Sequence, residues 1–153
     1  MKKKHTRNQR LGWIPFLIYL GFLAYFLFFA ELMGRTQEQM EYHYNLVLFK
    51  EIKRFITYRD ILGTEAVLLN LVGNVAAFMP FGFFFPVISR RTRHWYVMVL
   101  LGAAFSLGIE CIQLATKVGS FDVDDILLNT IGSLLGYWMF VLVQKVRSMR
   151  RGR

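Results

Sequence analysis

Four long stretches of this 153-residue chain carry almost no charge, and that pattern constrains the fold more than any motif. Leu11 to Ala30, Ala66 to Ser89 and Ile126 to Val143 contain no Asp, Glu, Lys or Arg, and Trp95 to Ala115 contains only Glu110. At 1.5 Å per residue, about 20 apolar residues cross a hydrocarbon core of ~30 Å. Only helices do so as single segments, because lipid offers the backbone no hydrogen bonds. The sequence therefore predicts an all-α fold: one integral membrane four-helix bundle over residues 1–153, with spans at about 11–30, 66–89, 95–115 and 126–143. A chain that is 55% hydrophobic with 15 Phe is too apolar to stay disordered. A single cysteine, Cys111, excludes a disulfide scaffold.

The net charge of +9 suggests nucleic acid only until its placement is read. Lys2 to Arg10, Arg90 to Arg93 and Lys145 to Arg153 hold thirteen of the nineteen Lys and Arg and none of the ten Asp and Glu. With four spans these segments share one side, which the positive-inside rule makes cytoplasmic. The expectation is a multi-pass protein of the cell membrane with both termini cytoplasmic, no nucleic-acid partner, and basic tails anchored to anionic lipid. The first run is longer than a signal-peptide core, and Phe28-Phe29-Ala30 lacks a small-residue cleavage pattern, so it reads as an uncleaved anchor.

The one long external segment is Glu31 to Glu65. Within it, Phe49, Ile52, Phe55 and Ile56 recur at helical spacing with Lys50, Glu51, Lys53 and Arg54 between them. An amphipathic helix over Leu46 to Leu62 is expected on the outer membrane surface, as a connector or as a lid over a site.

Polar groups inside membrane spans are costly and point to function. Asn70 and Asn74 share one face of the second span, Glu110 and Gln113 one face of the third, and Asp125 and Asn129 one face of the fourth. Counted from the external ends, most of these side chains lie within about 6–12 Å of the surface, so three helices bring polar groups to one level. Amides glue membrane helices together. Glu110 is harder to explain that way, since a carboxyl at that depth must be paired or neutral. It is a candidate general acid or base. Asp122, Asp124 and Asp125 sit just outside the fourth span. Asp124 or Asp125 is expected to cap that helix, and the remaining acid to act as a second acid/base, a headgroup contact or a weak cation site. Asn70, Asn74, Gln113 and Asn129 are candidate substrate-binding residues for a phosphate or sugar headgroup. His5, His43 and His94 are scattered, so no metal site is assigned, and nothing in the sequence names a cofactor. Gly132 with Gly136, and Gly102 with Ser106, are spaced for close helix packing. Pro80 and Pro86 with Gly82 suggest a kink in the second span.

The run Asn70-Leu71-Val72-Gly73-Asn74 through Met79-Pro80-Phe81-Gly82, the Glu110–Gln113 stretch, and Phe121-Asp122-Val123-Asp124-Asp125 through Asn129-Thr130-Ile131-Gly132 together resemble the ordered motifs of the VanZ-like family. Asn45-Leu46-Val47-Leu48-Phe49 is similar to that family's Asn-Leu-x-Pro-Phe, with Leu48 in place of proline. Many members carry an arginine just before the aspartates, where this chain has Gly119 and Ser120. The resemblance implies a small envelope membrane protein associated with low-level resistance to teicoplanin and related lipoglycopeptides, with outer-leaflet lipids or lipid-linked wall precursors as partners. Two functions follow: a non-catalytic envelope protein acting by binding, or a membrane-embedded enzyme using Glu110 with Asp122 or Asp125. A transporter would need several copies, and the sequence does not set an oligomeric state.

Overall fold

The computed structural model describes residues 7–27 and 43–151. The last three residues of the first expected span, and the segment expected to be external as far as residue 42, lie outside the described residues. The helices are α1 (Arg7–Tyr25), α2 (Lys50–Thr57), α3 (Arg59–Leu62), α4 (Thr64–Ile88), α5 (Trp95–Thr116) and α6 (Val123–Arg151). A 3₁₀ turn, Arg90–Thr92, follows α4, and two short strands, β1 (Tyr44–Asn45) and β2 (Phe121–Asp122), pair in parallel. The all-α class holds.

Three helices among the described residues are long and apolar enough to cross a membrane: Thr64–Ile88, Trp95–Thr116 and Val123–Arg150. The apolar part of α1, Leu11–Tyr25, is shorter. Helix α6 runs well past Val143, the expected end of the fourth span, and carries Lys145 and Arg147 on its final turns. These helices are apolar outward as well as inward. Leu69, Leu100 and Leu142 are each more than 60% exposed, a distribution that suits lipid rather than water.

Packing depends on small residues. A Cβ on Gly132 or Gly136 would collide with the Val75 or Met79 carbonyl, and one on Gly82 with the Ser133 carbonyl. Helices α4 and α6 therefore meet backbone to backbone. Where lipid removes most of the hydrophobic drive for helix association, such contact is what holds helices together. Phe81 fills the adjoining layer, stacked on Phe105 at 4.9 Å and on Phe85 at 5.1 Å, with Phe16 of α1 at 6.1 Å.

Helix α4 continues through both prolines. Proline removes the donor to the carbonyl four residues back, here Ala76 and Gly82, and side chains of neighbouring elements brace other carbonyls of the helix. The Tyr19 hydroxyl donates to the Ala77 carbonyl at 2.8 Å. At the end of the helix, Thr92 Oγ1 donates to Phe85 O and Arg93 Nε to Pro86 O.

Candidate functional site

The site is built where α5 turns into α6. Lys117, with φ 57°, ends α5 in the left-handed region, and Val118 N and Gly119 N close back on Gln113 O at 3.1 and 3.4 Å. A side chain at Gly119 would press on Gln113, its Cβ 2.9 Å from Gln113 Cβ. The chain then runs beside the segment that precedes α2, pairing Tyr44 with Phe121 and Asn45 with Asp122. This two-residue ladder brings together groups more than seventy positions apart.

Three carboxyl groups are buried around it: Glu110, Asp122 and Asp124. They form a relay of acceptors. Glu110 Oε2 accepts from Asp122 N at 2.9 Å. Asp122 Oδ1 accepts from Asp124 N at 2.8 Å and from Asn45 Nδ2 at 3.0 Å. Asp124 reaches across to the first turn of α2, where its oxygens accept from Phe49 N, from Glu51 N at 2.9 Å and from Ile52 N at 3.2 Å. A buried carboxylate is tolerable when its oxygens are met by donors, and here most of the donors are backbone amides. Phe49, at φ 65°, holds the left-handed turn that aims the α2 amides at Asp124.

This corrects the expected cap. Asp122, not Asp124 or Asp125, caps α6, since its side chain bonds the N–H two residues on, the usual N-cap arrangement. Asp124 caps α2 instead, because the ladder places that helix's free amides against it. The amphipathic segment is also shorter than the expected Leu46 to Leu62: it starts at Lys50, after the left-handed turn, and breaks at Tyr58 into α2 and α3.

Burial pushes the Asp122 carboxyl above its ordinary value. The Asp124 N–H and the Asn45 amide pull it back, the negative charge of Asp124 adds to the rise, and Arg54 opposes it.

The amides divide. Asn74 Nδ2 donates to Asp125 Oδ1 at 2.6 Å, joining α4 to α6. Asn129 lies one turn deeper and donates to Ser106 Oγ of α5 at 2.9 Å. Its Oδ1 is buried with no partner among the described residues, while Ser133 Oγ bonds its backbone carbonyl at 3.1 Å. Gln113 turns away, donating to Leu27 O at 3.3 Å. Asn70 is half-buried, with no hydrogen bond among the described residues. Two of the candidate side chains meet acids of this region, Glu110 through the Asp122 N–H and Asn74 through Asp125, contacts that helical spacing did not predict, while Asn70, Gln113 and Asn129 sit apart from the relay. Sequence reasoning placed Asn45 only within a motif and missed its contact with Asp122 and the reach of Asp124, because those partners lie more than seventy positions away. Among the described residues, no three acidic, Cys or His side chains converge so as to hold a metal ion.

A family model described as VanZ/LLP1 matches residues 16–144, most of the chain and the whole of this site. The chain belongs to the VanZ/LLP1 family. It is also 31% identical over 86 residues to Protein VanZ of Enterococcus faecium, covering 54% of this chain and 50% of that protein. The match thus spans about half the length of that relative. No solved structure matches the chain. In this VanZ/LLP1 member, the aspartate-rich stretch that resembles the family's motif is the one that ties the segment before α4 to the bundle.

Proposed function

We propose that this is a multi-pass protein of the cell membrane with both termini cytoplasmic and the acidic relay on the outer side. There it engages outer-leaflet lipids or lipid-linked wall precursors by binding, and lowers the access of glycopeptides such as teicoplanin. The observation that carries this reading is the direction of the acid oxygens. Glu110, Asp122 and Asp124 all accept from backbone amides of the protein itself, which suits a fixed roof better than a proton carrier. Val47, Phe49 and Ile56 are exposed and apolar, and give that roof a lipid-facing skin. Beneath it, Asn70 and the Asn74–Asp125 pair offer amide donors to a phosphate or sugar and a carboxyl acceptor to sugar hydroxyls. Family membership supports the envelope setting.

A second reading is favoured by one observation, the strengthened hold of Asp122 on its proton. It is a membrane-embedded enzyme acting on a lipid headgroup or lipid-linked precursor, with Glu110 as acid/base and Asp122 or Asp125 as its complement. Glu110→Gln separates the two. The amide oxygen still accepts from Asp122 N, but the side chain no longer ionises. Teicoplanin susceptibility that is unchanged from wild type, at equal abundance by immunoblot, supports binding. Loss of the phenotype, with the rate of any lipid conversion down on the order of 10²–10⁴, supports the enzyme. Orientation has its own check: a cysteine introduced at Gln39 should label from outside intact cells, and labelling only after permeabilisation would invert the topology.

A further inference from the structure

The basic end of the bundle, remote from the acidic relay, holds a cavity of about 420 Å³ between the ends of α1, α4 and α6. Arg90 and Arg93 line it from the turn after α4, and Arg147 from the last turns of α6, over a floor that includes Phe84, Val87 and Phe140. Arg93 is fixed in place. Its Nε donates to Pro86 O at 3.1 Å, its guanidinium lies 5.5 Å from the Phe140 ring centroid, and its carbonyl accepts from the Tyr137 hydroxyl at 3.1 Å. Thr92, buried beside it, pins the same turn through Oγ1 to Ser89 O at 2.8 Å. No acid lines the cavity, and none among the described residues pairs with the three arginines.

We propose that this cavity binds the phosphate of an anionic phospholipid, with the guanidinium groups on the phosphate and the first acyl carbons along the aromatic floor. Guanidinium groups suit phosphate through paired, charge-assisted hydrogen bonds. Prior fixing of Arg93 lowers the ordering cost of binding. The floor decides between lipid and soluble phosphate: it lies at the ends of helices apolar enough to cross a membrane, and a free phosphate has nothing to bury there. The site is separate from the external relay, so its failure would leave the proposed function untouched, and the reverse also holds.

The test is native mass spectrometry of the full chain in neutral detergent, titrated with phosphatidylglycerol, phosphatidylcholine or inorganic phosphate. One phosphatidylglycerol should bind, about tenfold or more tighter than phosphatidylcholine, whose choline offsets the phosphate charge. Arg90→Gln with Arg147→Gln should weaken it about thirtyfold, reckoned from the contribution of each basic group at a lipid surface. Arg93 stays in place because it also braces the turn. Lys145→Gln with Arg150→Gln removes the same charge outside the cavity and should leave binding intact. Equal binding of both lipids, or equal loss in the control pair, would overturn the proposal in favour of diffuse charge. Displacement by equimolar inorganic phosphate would overturn the lipid assignment.

Discussion

Replacing Asp124 with alanine should release α2 from the bundle without unfolding it. The carboxyl is 1% exposed and accepts three amides of the α2 first turn. Hydrogen bonds to a charged group contribute about 1.5 kcal/mol each at the low end, so the loss is about 4–5 kcal/mol. Little else holds α2. It has eight residues, none fully buried, and an isolated helix that short is marginal. The loss therefore exceeds what its own packing supplies, and the segment opens locally. Hydrogen exchange on the full chain in nanodiscs is the assay. Exchange at Phe49, Glu51 and Ile52 should accelerate on the order of a thousandfold, while α4 and α6 stay protected. Asp124→Asn keeps one acceptor oxygen but turns an NH₂ donor toward amide donors, and should fall between wild type and alanine. Unchanged protection at those three amides in Asp124→Ala would refute the role of Asp124 as the α2 cap. Equal loosening of α4 and α6 would refute the local character of the opening.

Gly132→Ala and Gly136→Ala should each destabilise by about 1–3 kcal/mol, the usual cost of overpacking, seen as a lowered melting temperature in detergent. Gly73→Ala, where a Cβ meets nothing within 4 Å, should be neutral or mildly stabilising. Because burial holds the Asp122 proton above the ordinary value of 3.8, the folded state keeps that proton at pH values where the unfolded chain has lost it. This contribution is full below about pH 3.8 and is lost as pH rises through the folded value; Asp122→Asn should flatten that part of the stability–pH curve. Ser106→Ala should cost about 0.6–2 kcal/mol, the range for one interhelical hydrogen bond in a membrane; no change in melting temperature would show that the Asn129 bond carries no weight.

How much was legible follows from the range of each signal. Charge-free runs are read within a single helix length, so α4, α5 and α6 come directly from the sequence. Helical spacing and depth also bring Asn70, Asn74, Glu110, Gln113, Asp125 and Asn129 to one level, because each helix fixes its own periodicity, but which of them touch is set by the fold. The Asp124 contact with α2 lies beyond such reasoning. Its partners are 72 to 75 residues away, and the rule for acids at a helix start sees only the helix that follows. The early start expected for the amphipathic segment fails for a related reason: apolar spacing continues through Phe49, but that residue takes φ 65°, and no composition signal marks it. The basic cavity was half visible. Arg90, Arg93 and Arg147 read as a topology signal, and only their convergence over Phe140 makes them a site.

Binding rather than chemistry is the proposed action of the acidic relay. It is tested most directly by mass spectrometry of envelope lipids and wall precursors from isogenic cells with and without the protein, under conditions where teicoplanin susceptibility is measured in parallel. Reduced susceptibility of the cells that carry the protein, with the same covalent set of lipids and precursors in both strains, is the expected result. A new or missing covalent species that depends on the protein, and that reverts in Glu110→Gln at equal abundance, would contradict it.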